Sequence, residues 1–264
     1  MYNKIESSSN EFYRNLKKLQ TKRGRDKASQ YIAEGLRAVS DAIKNKADIY
    51  AIVLCEGQDF DIDLSAFRVY ELSKKLFDEA KLTVNSQGII AVINYKLSSS
   101  LDIDCKGFDT ILYLDSVTDP GNMGTILRSA DAMGVDAVVL SKGCVDVFNP
   151  KVVRSSMASL LNVPIYIDED TDSFFEKLIS CGFDIAGTFP DGDILSCGYS
   201  YRAKTLLVMG NEANGISDRV KEYCTVNIKI PMLGNTESLN VATACTVMLY
   251  EIMLRKIKSN EVVK

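Results

Sequence analysis

Three short segments of this 264-residue sequence combine residue types that can hold and polarise a substrate. The first sets Asp119-Pro120-Gly121 immediately before Asn122 and places Arg128 six residues further on. Asp-Pro-Gly is turn chemistry and Asn is a favoured helix cap, so a helix is expected from about Asn122. Six steps of about 100° leave Asn122 and Arg128 roughly 120° apart around that helix, so only a long side chain reaches back toward the loop. A guanidinium so placed can bind a phosphate or stabilise a developing oxyanion; a surface Arg behind a capping Asn is the plain structural alternative. The second segment holds Glu212 between Gly210 and Gly215, where backbone can approach a ligand closely, although a Glu at a helix start is also explained by the helix dipole. The third carries Ile230 and then Ser238, Leu239 and Asn240 just ahead of a long apolar stretch, with Ser238 placed to cap the helix that follows.

The sequence contains no histidine. That excludes Ser-His-Asp and Cys-His nucleophilic catalysis, histidine-ligated zinc and an imidazole general base, and leaves Arg, Lys, Glu, Asp, Ser, Asn, Cys and Tyr for any chemistry. The seven cysteines lie too far apart for a metal knuckle or a redox dithiol, so no metal is expected and the thiols read as reduced, in a cytoplasmic protein. The amino-terminal residues lack an apolar signal core, and no stretch reads as a membrane span. Glycine-rich nucleotide loops are disfavoured as well. Gly210 and Gly215 have phosphate-loop spacing, but Ile216 and Ser217 follow where Lys and Ser or Thr are needed.

The elements that must position these segments alternate. Helix is expected over 31–42, strand over 50–55 and 68–71, helix over 73–81 and strand over 88–94, which together make a small α/β domain of residues 1–96. Residues 97–107, with three consecutive serines and no sustained period, read as a linker. From 108 to 264 the alternation is regular: strands over 110–114, 137–140, 164–167, 183–188, 205–209 and 226–230, with helices over 122–133, 150–161, 172–181 and 239–257. Apolar strands alternating with amphipathic helices specify an α/β fold with a mostly parallel sheet, and such sheets bind ligands at the carboxyl ends of their strands.

Charge is unevenly spread. Residues 11–27 hold seven basic side chains against Glu11 and Asp26, a net of +5 in a chain whose formal charge is −4. Such a basic arm on an acidic body suits contact with a polyanion, and Arg14, Lys18, Lys22, Arg23 and Arg25 are the candidates. Phe12, Leu16 and Leu19 recur at helical spacing, so a solvated helix face explains the same charges.

In order and spacing, Asn-x-Gly-x-x-x-Arg at 122–128, Gly-x-Glu-x-x-Gly at 210–215, and Ile-Pro-Met followed by Ser-Leu-Asn-Val within 230–241 resemble the three signature motifs of the SpoU (TrmH) branch of the SPOUT RNA methyltransferases. The basic stretch 14–27, Ala33-Glu34-Gly35 and the later Gln87-Gly88-Ile89-Ile90-Ala91 resemble the substrate-binding domain of the family's ribosomal-RNA enzymes. The resemblance implies S-adenosylmethionine as donor, an RNA ribose 2′-hydroxyl as acceptor, a homodimer, and a carboxy-terminal domain threaded into a trefoil knot against the usual rule that chains avoid knots. It implies that Gly210, Ile230 and Leu239, with Thr188, hold the donor. It also implies that Asn122, Arg128, Glu212, Ser238 and Asn240 form the acceptor side. A guanidinium stays protonated to above about pH 12, so Arg128 is expected to bind the target phosphate and either stabilise the alkoxide or lose a proton only in the assembled complex. Asn122 would orient Arg128 or the ribose, and Glu212 would hold Arg128. A base-nitrogen methyltransferase of the same superfamily and a noncatalytic RNA-binding or ribosome-assembly protein are the alternatives.

Overall fold

The structure is a computed structural model and describes residues 2–262. Met1 and residues 263–264, the outer ends of the two expected domains, lie outside the described residues. The chain forms two compact units, Met1–Lys96 with Asp146–Leu161, and Leu97–Val145 with Asn162–Lys264.

The first unit begins with β1 (Asn3–Ile5), α1 (Glu11–Lys18), α2 (Lys22–Ala28), β2 (Gln30–Glu34), α3 (Leu36–Lys44), β3 (Ile49–Cys55), β4 (Val69–Leu72), α4 (Lys74–Ala80) and β5 (Ile89–Asn94). Its mixed sheet has the order β1-β4-β3-β5-β2. The helix expected over 31–42 is a strand followed by a helix. Tyr31, Ile32 and Ala33 pair antiparallel with Ile93, Val92 and Ala91, and this pairing overrides their helical spacing. Gly35, at φ +103°, ends the strand, and the Leu36 N–H donates to Gln87 Oε1 at 2.8 Å to start α3. Tyr13, Leu16 and Leu19 pack into the core with Val53, Phe77 and Val92, which anchors the basic arm by its apolar face.

The chain continues through β6 (Ser98–Ser99), β7 (Thr110–Leu114), α5 (Pro120–Ala132), β8 (Ala137–Leu140), α6 (Pro150–Ser156), α7 (Ser159–Asn162), β9 (Ile165–Ile167), α8 (Thr171–Ser180), β10 (Asp184–Thr188), β11 (Ile194–Leu195), β12 (Thr205–Met209), α9 (Asp218–Lys221), β13 (Val226–Lys229) and α10 (Val241–Val262). The eight strands order as β11-β13-β10-β12-β7-β8-β9-β6, and every pairing is parallel. The expected linker is built into this unit: Ser98 and Ser99 pair with β9, and Ile103 and Cys105 are buried in its core. Only two residues of β6 pair, too few to leave a periodic signal. The helix expected over 150–161 breaks into two at Met157, whose φ is +54°. α10 packs its Ala242, Cys245, Met248, Leu249 and Ile252 inward, and its Thr246 hydroxyl lies 2.6 Å from the Ser129 hydroxyl of α5. Among the described residues no helix is long and apolar enough to cross a membrane.

Candidate active site

β13, β10, β12 and β7 lie side by side and parallel, so their carboxyl ends open on one edge of the sheet. Thr188 ends β10, Gly210 follows β12, Ile230 follows β13 and Asp115 follows β7. All five residues of β12 are buried, which fixes the strand from which the Glu212 loop springs. Asn211 bridges to Gly215, and a Cβ on Gly210 would stand 2.2 Å from the Gly215 carbonyl carbon, so only glycine fits at that turn.

α5 starts at Pro120, two residues before the position expected, because Asp119 is its cap: the Asp119 carboxylate accepts from the Asn122 N–H at 2.8 Å, with Pro120 at the first helical position. The Asn122 side chain is thereby released from capping. Its Nδ2 donates to Glu212 Oε1 at 3.0 Å, and its Oδ1 accepts from Asn240 Nδ2 at 2.9 Å. Asn240 Oδ1 in turn accepts from the N–H groups of Ala242 and Thr243, so Asn240, not Ser238, caps α10.

Glu212 is the hub. Besides Asn122 it accepts from the Thr118 N–H at 3.2 Å, the Thr118 hydroxyl at 3.1 Å and the Asp119 N–H at 3.0 Å. Partial burial works to raise its pKa. The hydrogen bonds from Asn122, Asp119 and Thr118 outweigh that and hold the carboxyl at about 2. An anion at the start of α5 also meets the positive end of the helix dipole.

A cavity of about 480 Å³ adjoins this network and is lined by Thr188, Gly210, Glu212, Ile230, Ser238, Leu239 and Asn240. Met209, Met232 and Val241 add apolar wall, and Glu212 and Glu237 are its charged lining residues. The Thr188 hydroxyl oxygen is buried with no hydrogen-bond partner among the described residues. Among those residues there is also no group of three or more Cys, Asp or Glu arranged to hold a metal ion.

The structure thus brings Asn122, Glu212 and Asn240 into one hydrogen-bonded chain, and places Thr188, Gly210, Ile230, Ser238 and Leu239 around one cavity. Arg128 is not part of either. Its side chain is exposed on α5, and Glu212, expected to hold it, spends its acceptor positions on Thr118, Asp119 and Asn122. The helical rotation between Asn122 and Arg128 is the reason. In the first unit Arg14, Lys18, Lys22 and Arg23 are exposed, whereas Arg25 is buried. Arg25 donates to the Leu19 carbonyl at 2.9 Å and pairs with Asp146 at 3.1 Å through Nε, so it is a structural ion pair and not a free cation for a polyanion. Thr118, Asp119 and Asn211 were not among the expected site residues. Asp119 was findable as an Asp before Pro at a helix start. Asn211, which donates to the Ser116 carbonyl at 2.7 Å and accepts from the Ala213 N–H, leaves no such signal.

Residues 109–250 match the SpoU rRNA Methylase family, and residues 10–91 match the MRM3-like substrate binding domain. The chain is 32% identical over 257 residues to the 23S rRNA (guanosine(2553)-2'-O)-methyltransferase RlmP of Bacillus subtilis, an alignment covering 94% of this chain and 98% of that one. It is 36% identical over 148 residues to the 23S rRNA (uridine(2479)-2'-O)-methyltransferase of Streptomyces viridochromogenes, covering 54% of this chain and 52% of that one. The crystal structure of an AdoMet-bound rRNA methyltransferase from Sinorhizobium meliloti superposes with a TM-score of 0.84 at 27% identity, covering 95% of this chain and 97% of that one.

Proposed function

The chain belongs to the SpoU rRNA methylase family, and from that premise we propose that it transfers a methyl group from S-adenosylmethionine to a ribose 2′-hydroxyl of ribosomal RNA. The observation that carries the proposal is the chain Glu212–Asn122–Asn240 alongside the cavity walled by Thr188, Gly210, Ile230 and Leu239.

The cavity suits this donor. Its apolar walls fit an adenine, the unpartnered Thr188 hydroxyl offers a polar contact, and its charged lining groups, Glu212 and Glu237, are anionic and complement a cationic ligand. S-adenosylmethionine supplies a methyl group made electrophilic by its sulfonium. The loops of Gly210, Ile230 and Leu239 hold the donor by backbone. Glu212 stays ionised and fixes the start of α5. Asn122 and Asn240, locked by their shared hydrogen bond, orient the ribose, and Ser238 lines the same cavity as Asn240. Arg128 makes no hydrogen bond or ion pair to the described residues, which leaves its guanidinium free for the phosphate of the target nucleotide, where it stabilises the developing alkoxide while the 2′-proton passes to solvent water. Alignment and this charge stabilisation are the protein's contribution to an in-line displacement.

The unit of Met1–Lys96 with Asp146–Leu161 acts as the RNA substrate domain, with Arg14, Lys18, Lys22 and Arg23 on phosphates, and the unit of Leu97–Val145 with Asn162–Lys264 as the methyltransferase domain, its last segments threaded as a trefoil knot. The working form is a cytoplasmic homodimer joined through the knot region. The exposed Leu233, and Tyr250 and Ile257 of α10, are apolar surface that such a partner would cover.

The test is transfer of labelled methyl from S-adenosylmethionine to 23S, 16S and transfer RNA by wild type and Arg128→Ala, with nucleoside analysis. A 2′-O-methylated nucleoside made in ribosomal RNA by wild type alone is the expected result. Methyl on a base, or transfer by Arg128→Ala at the wild-type rate, would overturn it.

A further inference from the structure

We infer that the cavity between α1 and the sheet of the first unit, walled by Phe12, Tyr50 and Tyr70, is a stacking site for an unpaired nucleotide of the RNA substrate. The inference rests on RNA being the substrate, as proposed above, and adds which part of it is recognised and where.

The first observation is a bulge. Along β3 and β5, Ile49 faces Ile93 and Ala51 faces Val92, so Tyr50 is an extra residue with nothing opposite it. An extra residue of this kind re-aims its side chain. Tyr50 lines the cavity and is 41% exposed, which the core does not require. The second observation is ring geometry. Phe12 stacks on Tyr70 with centroids 3.8 Å apart and planes 18° from parallel, while Tyr50 lies 6.4 Å from Phe12 with planes 19° apart. Phe12 is thus near parallel to both Tyr70 and Tyr50, and all three residues line a cavity of about 450 Å³, within the roughly 300–1,000 Å³ of small-ligand sites. The Arg68 guanidinium lies over the Tyr50 ring, 5.4 Å from its centroid, and adds a cation at this wall of the cavity.

The remaining lining is apolar wall from Leu16, Leu19 and Val92 together with Asn10, Asn15 and Gln30, whose amides offer hydrogen-bonding groups to a base edge, and the Glu11 carboxylate. The same helix pair carries the exposed Arg14, Lys18, Lys22 and Arg23, so phosphates on either side of a stacked base meet positive charge. A paired base in an A-form helix hides its face, whereas a base in a loop, bulge or single strand offers it to aromatic rings. These features select a nucleotide that is out of a duplex.

The full-length protein is tested with Tyr50→Ala and Tyr50→Phe. The readouts are anisotropy of a labelled ten-nucleotide oligouridylate, anisotropy of an RNA duplex of the same length, and methyl acceptance by 23S rRNA. Tyr50→Ala is expected to weaken oligouridylate binding about tenfold, to leave duplex binding unchanged, and to raise KM for 23S rRNA with kcat kept. Tyr50→Phe, which keeps the ring face, is expected to bind as wild type does. Unchanged oligouridylate affinity in Tyr50→Ala, or an equal loss on single strand and duplex, overturns the stacking site while methyl transfer by wild type leaves the proposed function standing. A wild-type protein that neither binds RNA nor transfers methyl overturns both.

Discussion

Asn122 and Glu212 stand ninety positions apart in the chain and are joined by a 3.0 Å hydrogen bond from Nδ2 to Oε1. A carboxylate only accepts, so this bond fixes which end of the Asn122 amide faces Glu212 and turns the carbonyl end to Asn240. One side chain thus ties the loop after β7, the loop after β12 and the start of α10 together. Asn122→Ala removes both bonds at once. Hydrogen bonds to charged groups contribute about 1.5–3 kcal/mol, so kcat/KM for RNA should fall roughly 10- to 150-fold, with donor affinity by calorimetry changed far less.

The Glu212 carboxyl is held below its ordinary value of 4.5, at about 2. A depressed pKa means the folded state binds the proton less tightly than the unfolded state does. Its stabilising contribution is complete above pH 4.5 and is lost as pH falls toward 2. The stability difference between wild type and Glu212→Gln, from urea melts, should therefore be flat from pH 7 to about 5.5 and shrink below it. A difference that grew on acidification would contradict the network.

Arg128 is exposed and unpaired among the described residues, so it does no folding work that activity would need to spare. Arg128→Ala should change stability by less than about 0.5 kcal/mol and reduce methyl transfer at least a hundredfold. Arg128→Lys keeps charge but not the planar fork, and should stay well below wild type at saturating RNA.

Arg25 and its exposed neighbours Lys22 and Arg23 should separate cleanly. Removing Arg25 leaves Asp146, whose side chain is 12% exposed, without its partner, and Arg25→Ala should destabilise the protein by about 3–5 kcal/mol. Lys22→Ala and Arg23→Ala should leave the melting temperature in place and lower the slope of log RNA affinity against log salt by about one each.

Thr188→Val removes a buried hydroxyl oxygen that has no partner among the described residues. Stability should hold or rise, because an unsatisfied polar atom is replaced by a methyl, while S-adenosylmethionine affinity measured by calorimetry should fall about tenfold. An affinity equal to wild type would show that the hydroxyl meets no ligand.

The amino-acid sequence by itself determined the alternation of strand and helix from 108 onward, the parallel sheet, and the three loops that carry Asn122, Glu212 and Asn240, because apolar period and turn chemistry are local properties. Local pattern also misled. Residues 31–33 have helical spacing, yet pairing with β5 makes them strand, and residues 97–107 look like free chain although Ile103 and Cys105 are buried. Arg25 reads as one more exposed cation among seven until Asp146, 121 positions away, is seen to neutralise it. Only the tertiary structure decided that Glu212 serves Thr118, Asp119 and Asn122 and leaves Arg128 exposed, and that Asn240 and not Ser238 caps α10. The physical reason is common to all of these. A hydrogen bond or ion pair between residues about a hundred positions apart depends on where the sheet carries each loop and how far each helix has turned, and neither quantity is contained in the spacing of residues along one segment.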